Sequence, residues 1–278
     1  MNRQQREQIA HETLAILNAG SYSLPDRHTI SIQNELQAAC ANTILYFPND
    51  YEKLLRQVAA QPTKKSTIIR VTNRTTLEAA QSLIAEYSVV ASLNFASAKN
   101  PGGGFLSGSQ AQEESLARAS GLYSTLQTQP DFYSFHRRQA TCAYSDHLIY
   151  SPHVPVFRDD EGWLLPTPWK SSFITAAAVN AGAVRRNEPA QAGKIISTMQ
   201  RRAKMVLAVA ALQGYDALVL GAWGCGVFQN EPTSIARLFA TTLSEPPFEG
   251  RFAHVEFAVH DASPGQPVYK AFRQELNL

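Results

Sequence analysis

From Ser66 onward, short apolar runs rich in β-branched residues alternate with stretches whose apolar positions recur at helical spacing. Few folds accept that alternation, because a strand buried on both faces reads as a continuous apolar run and a covering helix as a one-sided stripe. The expected strands are Thr67–Val71 (TIIRV), Val89–Phe95 (VVASLNF), Ser172–Ala178 (SFITAAA), Ala217–Leu220 (ALVL) and His254–Val259. The expected helices are Thr75–Tyr87, about Ile195–Leu212, one opening on Pro232, and a terminal one carrying Tyr269, Phe272 and Leu276. A hairpin is expected over Val154–Leu165, turning at Asp159-Asp160-Glu161-Gly162. The pattern predicts an α/β fold around a largely buried sheet.

The first 65 residues read differently. Residues 2–18 form an amphipathic helix with Ile9, Leu14, Ile16 and Leu17 on one side and Gly20 as C-cap. Strand-like text follows near Thr29–Ile32 and Asn42–Tyr46, and Asp50 opens a helix over Tyr51–Ala60. These elements are too few to enclose a core, so residues 1–65 are expected to be an accessory segment packed on a domain spanning 66–278.

The hydrophobic fraction of 44% and charged fraction of 17% are those of a globular protein, and a net charge of +2 is too weak to point to nucleic acid. The doublets Lys64-Lys65, Arg137-Arg138, Arg185-Arg186 and Arg201-Arg202 read as solvated faces. No run reaches the roughly 18 apolar residues of a membrane span, and the N-terminus lacks a signal-peptide core. Cys40, Cys142 and Cys225 are widely spaced with no metal-ligand partner, which argues against disulfides or structural zinc and for a reducing, cytoplasmic setting. The histidines are dispersed, so neither a metal site nor a serine or cysteine triad is expected.

Two stretches could carry chemistry. Asn100–Tyr123 runs a triple glycine, Gly102, Gly103 and Gly104, into Gln112, Glu113 and Glu114 and then into an apolar-periodic helix. Consecutive glycines are costly and make sense where the chain takes positive φ or lies directly against a ligand. Glutamates in a helix's first turn are common for dipole reasons, but a carboxylate beside a glycine surface can also protonate a glycosidic oxygen. Adjacent helix positions point about 100° apart, so only one can face the ligand squarely. Gly221–Phe228 (GAWGCGVF) places a second glycine-rich loop after the ALVL strand and ahead of a helix, a place for a phosphate. Its spacing is neither the dinucleotide fingerprint nor a Walker loop, and a tight structural turn remains the alternative. Trp223 and Phe228 could stack on a sugar or base, or serve as packing. Cys225 reads as a small half-buried residue rather than a nucleophile.

The triple glycine, the seven residues Phe105–Ala111 and then Gln112-Glu113-Glu114 resemble the signature of poly(ADP-ribose) glycohydrolases. VTNRTTLEAA at 71–80, NFASAKNPGGG at 94–104, IYSPHVPVFRDD at 149–160, SFITAAAVNAG at 172–182 and LGAWGCGVFQN at 220–230 extend the likeness to the bacterial type of that family. The resemblance implies a macrodomain-like mixed central sheet flanked by helices, with an N-terminal helical extension. It implies hydrolysis of the ribose–ribose O-glycosidic bond, from the chain end, with no metal or other cofactor. Poly(ADP-ribose) or ADP-ribosylated protein would be the substrate and ADP-ribose the product, with a monomeric enzyme and neither membrane nor nucleic acid as partner. Glu114 would take the acid/base role and Glu113 would orient the distal ribose. Asn100, Gly102, Gly103, Gly104 and Gln112 would line the substrate, and Gly224, Cys225, Gly226 and Val227 would hold phosphate, with Phe228 against the terminal ribose. Val179-Asn180 departs from the Pro-Asn of many relatives. Rival readings are a hydrolase of mono-ADP-ribosylated protein or O-acyl-ADP-ribose, and a non-catalytic ADP-ribose reader, which would not need both glutamates.

Overall fold

The computed structural model describes residues 1–25, 27–63 and 66–278, so the Lys64-Lys65 doublet lies outside the described residues. A small antiparallel ribbon joins β1 (Ser21–Ser23) to β2 (Thr29–Ser31). The main sheet contains β3 (Ile44–Tyr46), β4 (Ile68–Thr72), β5 (Val90–Phe95), β6 (Leu148–Arg158), β7 (Leu164–Ala176), β8 (Ala217–Gly221) and β9 (His254–Ala258). Its spatial order is β3-β6-β7-β5-β8-β9-β4. Strands β7, β5, β8, β9 and β4 run parallel, whereas β6 is antiparallel to β7 and β3 to β6. The expected mixed central sheet flanked by helices is present. Because the parallel strands end on one edge, the loops after β5, β7, β8, β9 and β4 gather there, where open α/β sheets bind ligands.

The helices are α1 (Arg3–Ala19), α2 (Gln33–Ala41), α3 (Tyr51–Ala59), α4 (Thr76–Ile84), α5 (Gln112–Ala119), α6 (Leu122–Gln127), α7 (Pro130–Arg138), α8 (Ala181–Asn187), α9 (Ile195–Leu212), α10 (Pro232–Ser244) and α11 (Pro267–Glu275). One face of the sheet is covered by α9 and α10, where Met205, Val206, Leu218, Leu220 and Phe257 join the largest buried cluster. The other face packs against α4 through α7, with Leu83 and Val219 in one cluster and Leu116, Phe132 and Phe173 in another. Within residues 1–65, β3 extends the sheet beyond β6, α3 packs on α9, and α1 lies against α5. Among the described residues no helix is long and apolar enough to cross a membrane.

Two expectations change in detail. Ser172–Ala176 is the buried end of the single strand β7, not a separate strand, and the hairpin arm β6 begins at Leu148. The turn is as expected, with Gly162 at φ 97° and the Asp159 amide donating to the Trp163 carbonyl at 3.0 Å. The helical text after Gln112 does not run unbroken to Tyr123. It stops at Ala119 because the Gly121 amide turns to donate to Pro155 O at 2.9 Å, and a Cβ on Gly121 would lie 2.6 Å from Leu36.

Arg202 ties α9 to the ligand edge of the sheet. It is fully buried, donates from Nε to Asp146 Oδ1 at 3.0 Å and from Nη1 to Ala177 O at 2.6 Å, and Nη2 reaches Ala143 O at 3.2 Å. Arg201 reaches the same carboxylate at 3.1 Å from an exposed position. Removing one member of a buried pair strands the other, whereas an exposed partner contributes little. Arg202→Ala is expected to cost ~3 kcal/mol in urea unfolding and Arg201→Ala less than ~1 kcal/mol.

Candidate active site

The loop after β5 folds back on the start of α5. Gly102 and Gly103 take φ of 68° and 60°, as their glycine character suggested, and Gly103 donates to Asn100 O at 3.0 Å. A Cβ on Gly103 would stand 2.3 Å from Glu114 Oε1 and 3.3 Å from Glu113 Oε2, so the backbone lies directly against both carboxylates. The Gly104 amide donates to Glu114 Oε1 at 3.0 Å, and a Cβ there would meet Ser109 Oγ at 2.6 Å. Asn100 is exposed at the mouth of the loop, its amide donating to Ser97 Oγ at 3.2 Å. Farther along, Arg3 Nε donates to Ser107 O at 3.0 Å, Arg6 Nε to Gly108 O at 2.9 Å and Arg118 Nη1 to Ser109 O at 2.8 Å. Helix α1 therefore braces the segment joining the glycines to the glutamates.

Gln112 locks the first turn of α5 to the sheet. Its Oε1 accepts from Phe95 N at 2.8 Å, and its Nε2 donates to Leu93 O at 2.7 Å and Thr76 Oγ1 at 3.0 Å. Glu113 then points inward and is 2% exposed, accepting from Ser97 N at 2.6 Å and Asn94 Nδ2 at 3.3 Å. Burial is the main cause pushing its pKa up to about 8, with the Glu114 charge adding and the hydrogen bonds opposing. Glu114 is half-buried and faces the glycine loop. Asn94, fully buried in β5, also donates to Thr175 Oγ1 at 3.1 Å. Tyr133 on α7 is 2% exposed, and its hydroxyl pKa is raised first by burial and next by Glu113.

The loop after β8 forms the second lip. Gly224 takes φ 73°, and a Cβ there would lie 2.6 Å from both Ala178 Cβ and Asn230 Nδ2. Gly226 faces open space, Val227 is 84% exposed, and the half-buried Phe228 ring lies 5.9 Å from Tyr144 at 43°. Cys225 is half-buried and its thiol is pushed up to about 12 by burial, the opposite of an activated nucleophile. Trp223 is fully buried and donates to Ala176 O at 3.1 Å, which makes it core packing and not a stacking surface. The helix dipole is not offered to the loop either, because the Glu231 carboxylate caps α10 by accepting from Ser234 N at 2.7 Å. The Arg185 guanidinium lies at the end of the loop, its Nη1 donating to Gln229 O at 3.0 Å.

A cavity of about 620 Å³ opens between the two loops, within the range of small-molecule sites. Gln110 and Ala111 from one loop and Cys225 and Gly226 from the other wall it, with Gln112 of α5, Thr76, Phe95, Asp160 and His260. Glu113 and Glu114 are not in that wall. They lie on the flank of α5 turned to the triple glycine. Asn94, Ser97, Tyr133, Tyr144 and Asp160 were not singled out in the sequence. Asn94 did leave a signal, a polar residue inside the apolar run VVASLNF. Among the described residues no group of three or more His, Cys, Asp or Glu could hold a metal ion.

Two of the seven histidines, His136 and His147, meet on a serine. Ser145 Oγ lies 2.7 Å from His136 Nε2 and 2.6 Å from His147 Nδ1. His136 Nδ1 lies 2.7 Å from Phe132 O, so hydrogen bonding assigns its proton to Nδ1, and burial lowers its pKa to about 4. The ring is oriented by a carbonyl rather than a carboxylate, and the trio anchors the loop 139–147.

The sequence profile of a family described as microbial-type PARG, catalytic domain, matches residues 10–159. Among solved structures, poly(ADP-ribose) glycohydrolase from Thermomonospora curvata is 48% identical with a TM-score of 0.94, covering 98% of this chain and 99% of that one. The same protein bound to the inhibitor ADP-HPD matches with a TM-score of 0.90 at 48% identity over the same shares. Poly(ADP-ribose) glycohydrolase from Deinococcus radiodurans in complex with ADP-ribose is 49% identical with a TM-score of 0.83, covering 87% of this chain and 96% of that one. The comparison with curated proteins found no match.

Two outcomes follow from the carboxylate geometry. Gly103→Ala is expected to cost about 1–2 kcal/mol from its left-handed backbone, and to lower kcat/KM about a hundredfold by displacing Glu114, measured by unfolding and steady-state kinetics. Glu113 holds a proton when folded up to a pKa of about 8 against an unfolded value of 4.5, so its contribution to stability is full below pH 4.5 and lost as pH rises through about 8. Urea unfolding from pH 5 to 8 should show the parent falling relative to Glu113→Gln by up to ~1.4 kcal/mol per pH unit. His136 contributes equally to both proteins and cancels.

Proposed function

The chain belongs to the microbial-type poly(ADP-ribose) glycohydrolase family, and on that footing we propose that it cleaves the ribose–ribose O-glycosidic bond of poly(ADP-ribose) from the chain end, with Glu114 as acid/base. The observation that carries this is the pair of unequal carboxylates pressed against Gly103. Glu114 is the more accessible of the two, fixed through Oε1 by the Gly104 amide while its other oxygen is left for substrate. It donates a proton to the departing 2′-oxygen and then takes one from the attacking water, while the oxocarbenium-like centre develops beside it. Glu113, anchored by Ser97 and Asn94, holds the distal ribose hydroxyls. Its proton leaves the pair with a single charge.

Gly102 to Gly104 let the backbone approach that ribose, with Asn100 at the mouth. Gln112 acts by holding α5 to β5 beside the substrate. Gly224, Cys225, Gly226 and Val227 form the loop that receives the pyrophosphate, and Phe228 packs on the terminal ribose. The adenosine half extends into the cavity walled by Thr76, Phe95 and His260. Residues 1–65 serve as an accessory brace for a catalytic domain spanning 66–278. The enzyme works as a cytoplasmic monomer without a metal, on ADP-ribose chains borne by protein, with neither nucleic acid nor membrane as partner. The weak net charge of +2 and three free cysteines support that setting.

The purified protein is expected to convert automodified poly(ADP-ribose) to ADP-ribose, equally well after chelator treatment. Glu114→Gln should still bind ADP-ribose but lose turnover by on the order of 10²–10⁴. Unchanged turnover in Glu114→Gln would remove Glu114 from the acid/base role. ADP-ribose binding with no release from polymer would make the protein a reader, and release only from mono-modified protein would move the substrate class.

A further inference from the structure

Tyr144 has a left-handed backbone, with φ 58°. Bulky aromatic residues rarely take that conformation, and it persists where surrounding contacts over-determine it, as at active sites, ligand clamps and switch regions. Here the neighbours on both sides are fixed. Arg202 holds Ala143 O at 3.2 Å and Asp146 at 3.0 Å, Ser145 is gripped by His136 and His147, and the Cys142 amide donates to Glu188 Oε1 at 2.6 Å. The result is a half-buried ring turned toward the second glycine loop, 5.9 Å from Phe228. Burial, the larger effect, raises the Tyr144 hydroxyl pKa while the nearby Asn180 side chain opposes it, and Asn180 Oδ1 caps α8 by accepting from Ala183 N at 3.0 Å.

We propose that Tyr144 is a substrate-binding residue that joins Phe228 in forming the apolar wall for the distal ribose of the scissile linkage. The proposal rests on Glu113 and Glu114 being the reacting pair. Ring centroids 5.9 Å apart at 43° cannot admit a sugar between them, which would need about 7 Å, so the two rings present one continuous surface. That surface connects with both loops. Phe228 ends the second, and Tyr144 stands edge-on to His136 at 5.9 Å on α7. The same helix carries Tyr133, whose hydroxyl feels the Glu113 charge, and Arg137, whose Nη1 donates to Lys99 O at 2.7 Å beside the triple glycine. A pentose offers C–H groups on its face and hydroxyls on its rim, which suit an aromatic wall ending in a phenol. The strained backbone aims the ring into the site, a use that scaffold packing alone does not require.

The test uses Tyr144→Asn and Tyr144→Gly, both tolerant of positive φ, alongside Tyr144→Phe. Steady-state kinetics on poly(ADP-ribose), calorimetric binding of ADP-ribose and thermal melting are measured for each. The asparagine and glycine variants are expected to melt no lower than the parent, while KM and the ADP-ribose Kd rise about tenfold and kcat changes less. Tyr144→Phe should stay within about twofold, since the ring supplies most of the contact. The proposal is overturned if KM and Kd of the asparagine and glycine variants stay within about twofold of the parent, or if both melt lower with binding per folded molecule unchanged. Glu114→Gln is judged on turnover and Tyr144 on KM and ADP-ribose binding, so either assignment can fail alone.

Discussion

A carboxylate buried to 2% exposure, with only neutral donors around it, is the constraint around which this edge of the sheet is built. Glu113 is met by the backbone amides of Ser97 and Gly102 and by the Asn94 side-chain amide, all neutral. Full ionisation in such a place is expensive, so the group keeps its proton to a higher pH than an exposed glutamate. The second carboxylate then has to sit where it can reach both loop and solvent. Gly103 makes this possible, because any larger residue would occupy the space its two neighbours fill. The glycine run thus serves the glutamates before it serves a ligand.

Holding that arrangement requires support from elements distant in the sequence. Gln112 makes the first turn of α5 behave as a neighbour of β5, bonding to Phe95 and Leu93 as a strand would. On the outer side, Arg3 and Arg6 satisfy carbonyls of the connecting segment, and Thr13 Oγ1 donates to Arg118 O at 2.7 Å at the far end of α5. Two arginines of the N-terminal helix are therefore tied to the segment that joins the glycines to the glutamates. Arg158 adds a further tie, pairing with Glu12 at 3.0 Å and with Gly162 O at 2.7 Å, so the β6–β7 hairpin tip is held to the same helix.

Much of this was legible in the sequence. The parallel strands and α9 followed from apolar runs and helical stripes, since burial on both faces leaves an unmistakable composition. The glycine run was legible because close approach demands glycine, and both glutamates do stand against Gly103. Helices α2, α6, α7 and α8 were not read. α2 begins at Gln33 with no side-chain cap, and α8 spans only Ala181–Asn187, so neither gives a long periodic signal. The break between α5 and α6 is set by Pro155 and Leu36, which are remote in sequence and invisible to a local pattern. Trp223 reads as a loop aromatic, yet the turn at Gly224 directs it into the core, where its indole nitrogen finds Ala176 O.

Tyr144 shows a deeper limit of sequence reading. Nothing in ATCAYSDHL marks a left-handed tyrosine, because the conformation is imposed by Arg202, Glu188 and the His136–Ser145–His147 trio, each contributed by another part of the fold. The same buried arginine also holds Ala177 at the end of β7, two residues from Val179. One guanidinium therefore sets both the strand end and the strained loop, and a change at Arg202 would disturb the aromatic wall without touching any residue that meets substrate. Scaffold and site share this anchor, so losing Arg202 would weaken the fold and the wall together, whereas a change in the Tyr144 ring alone would reach only the wall.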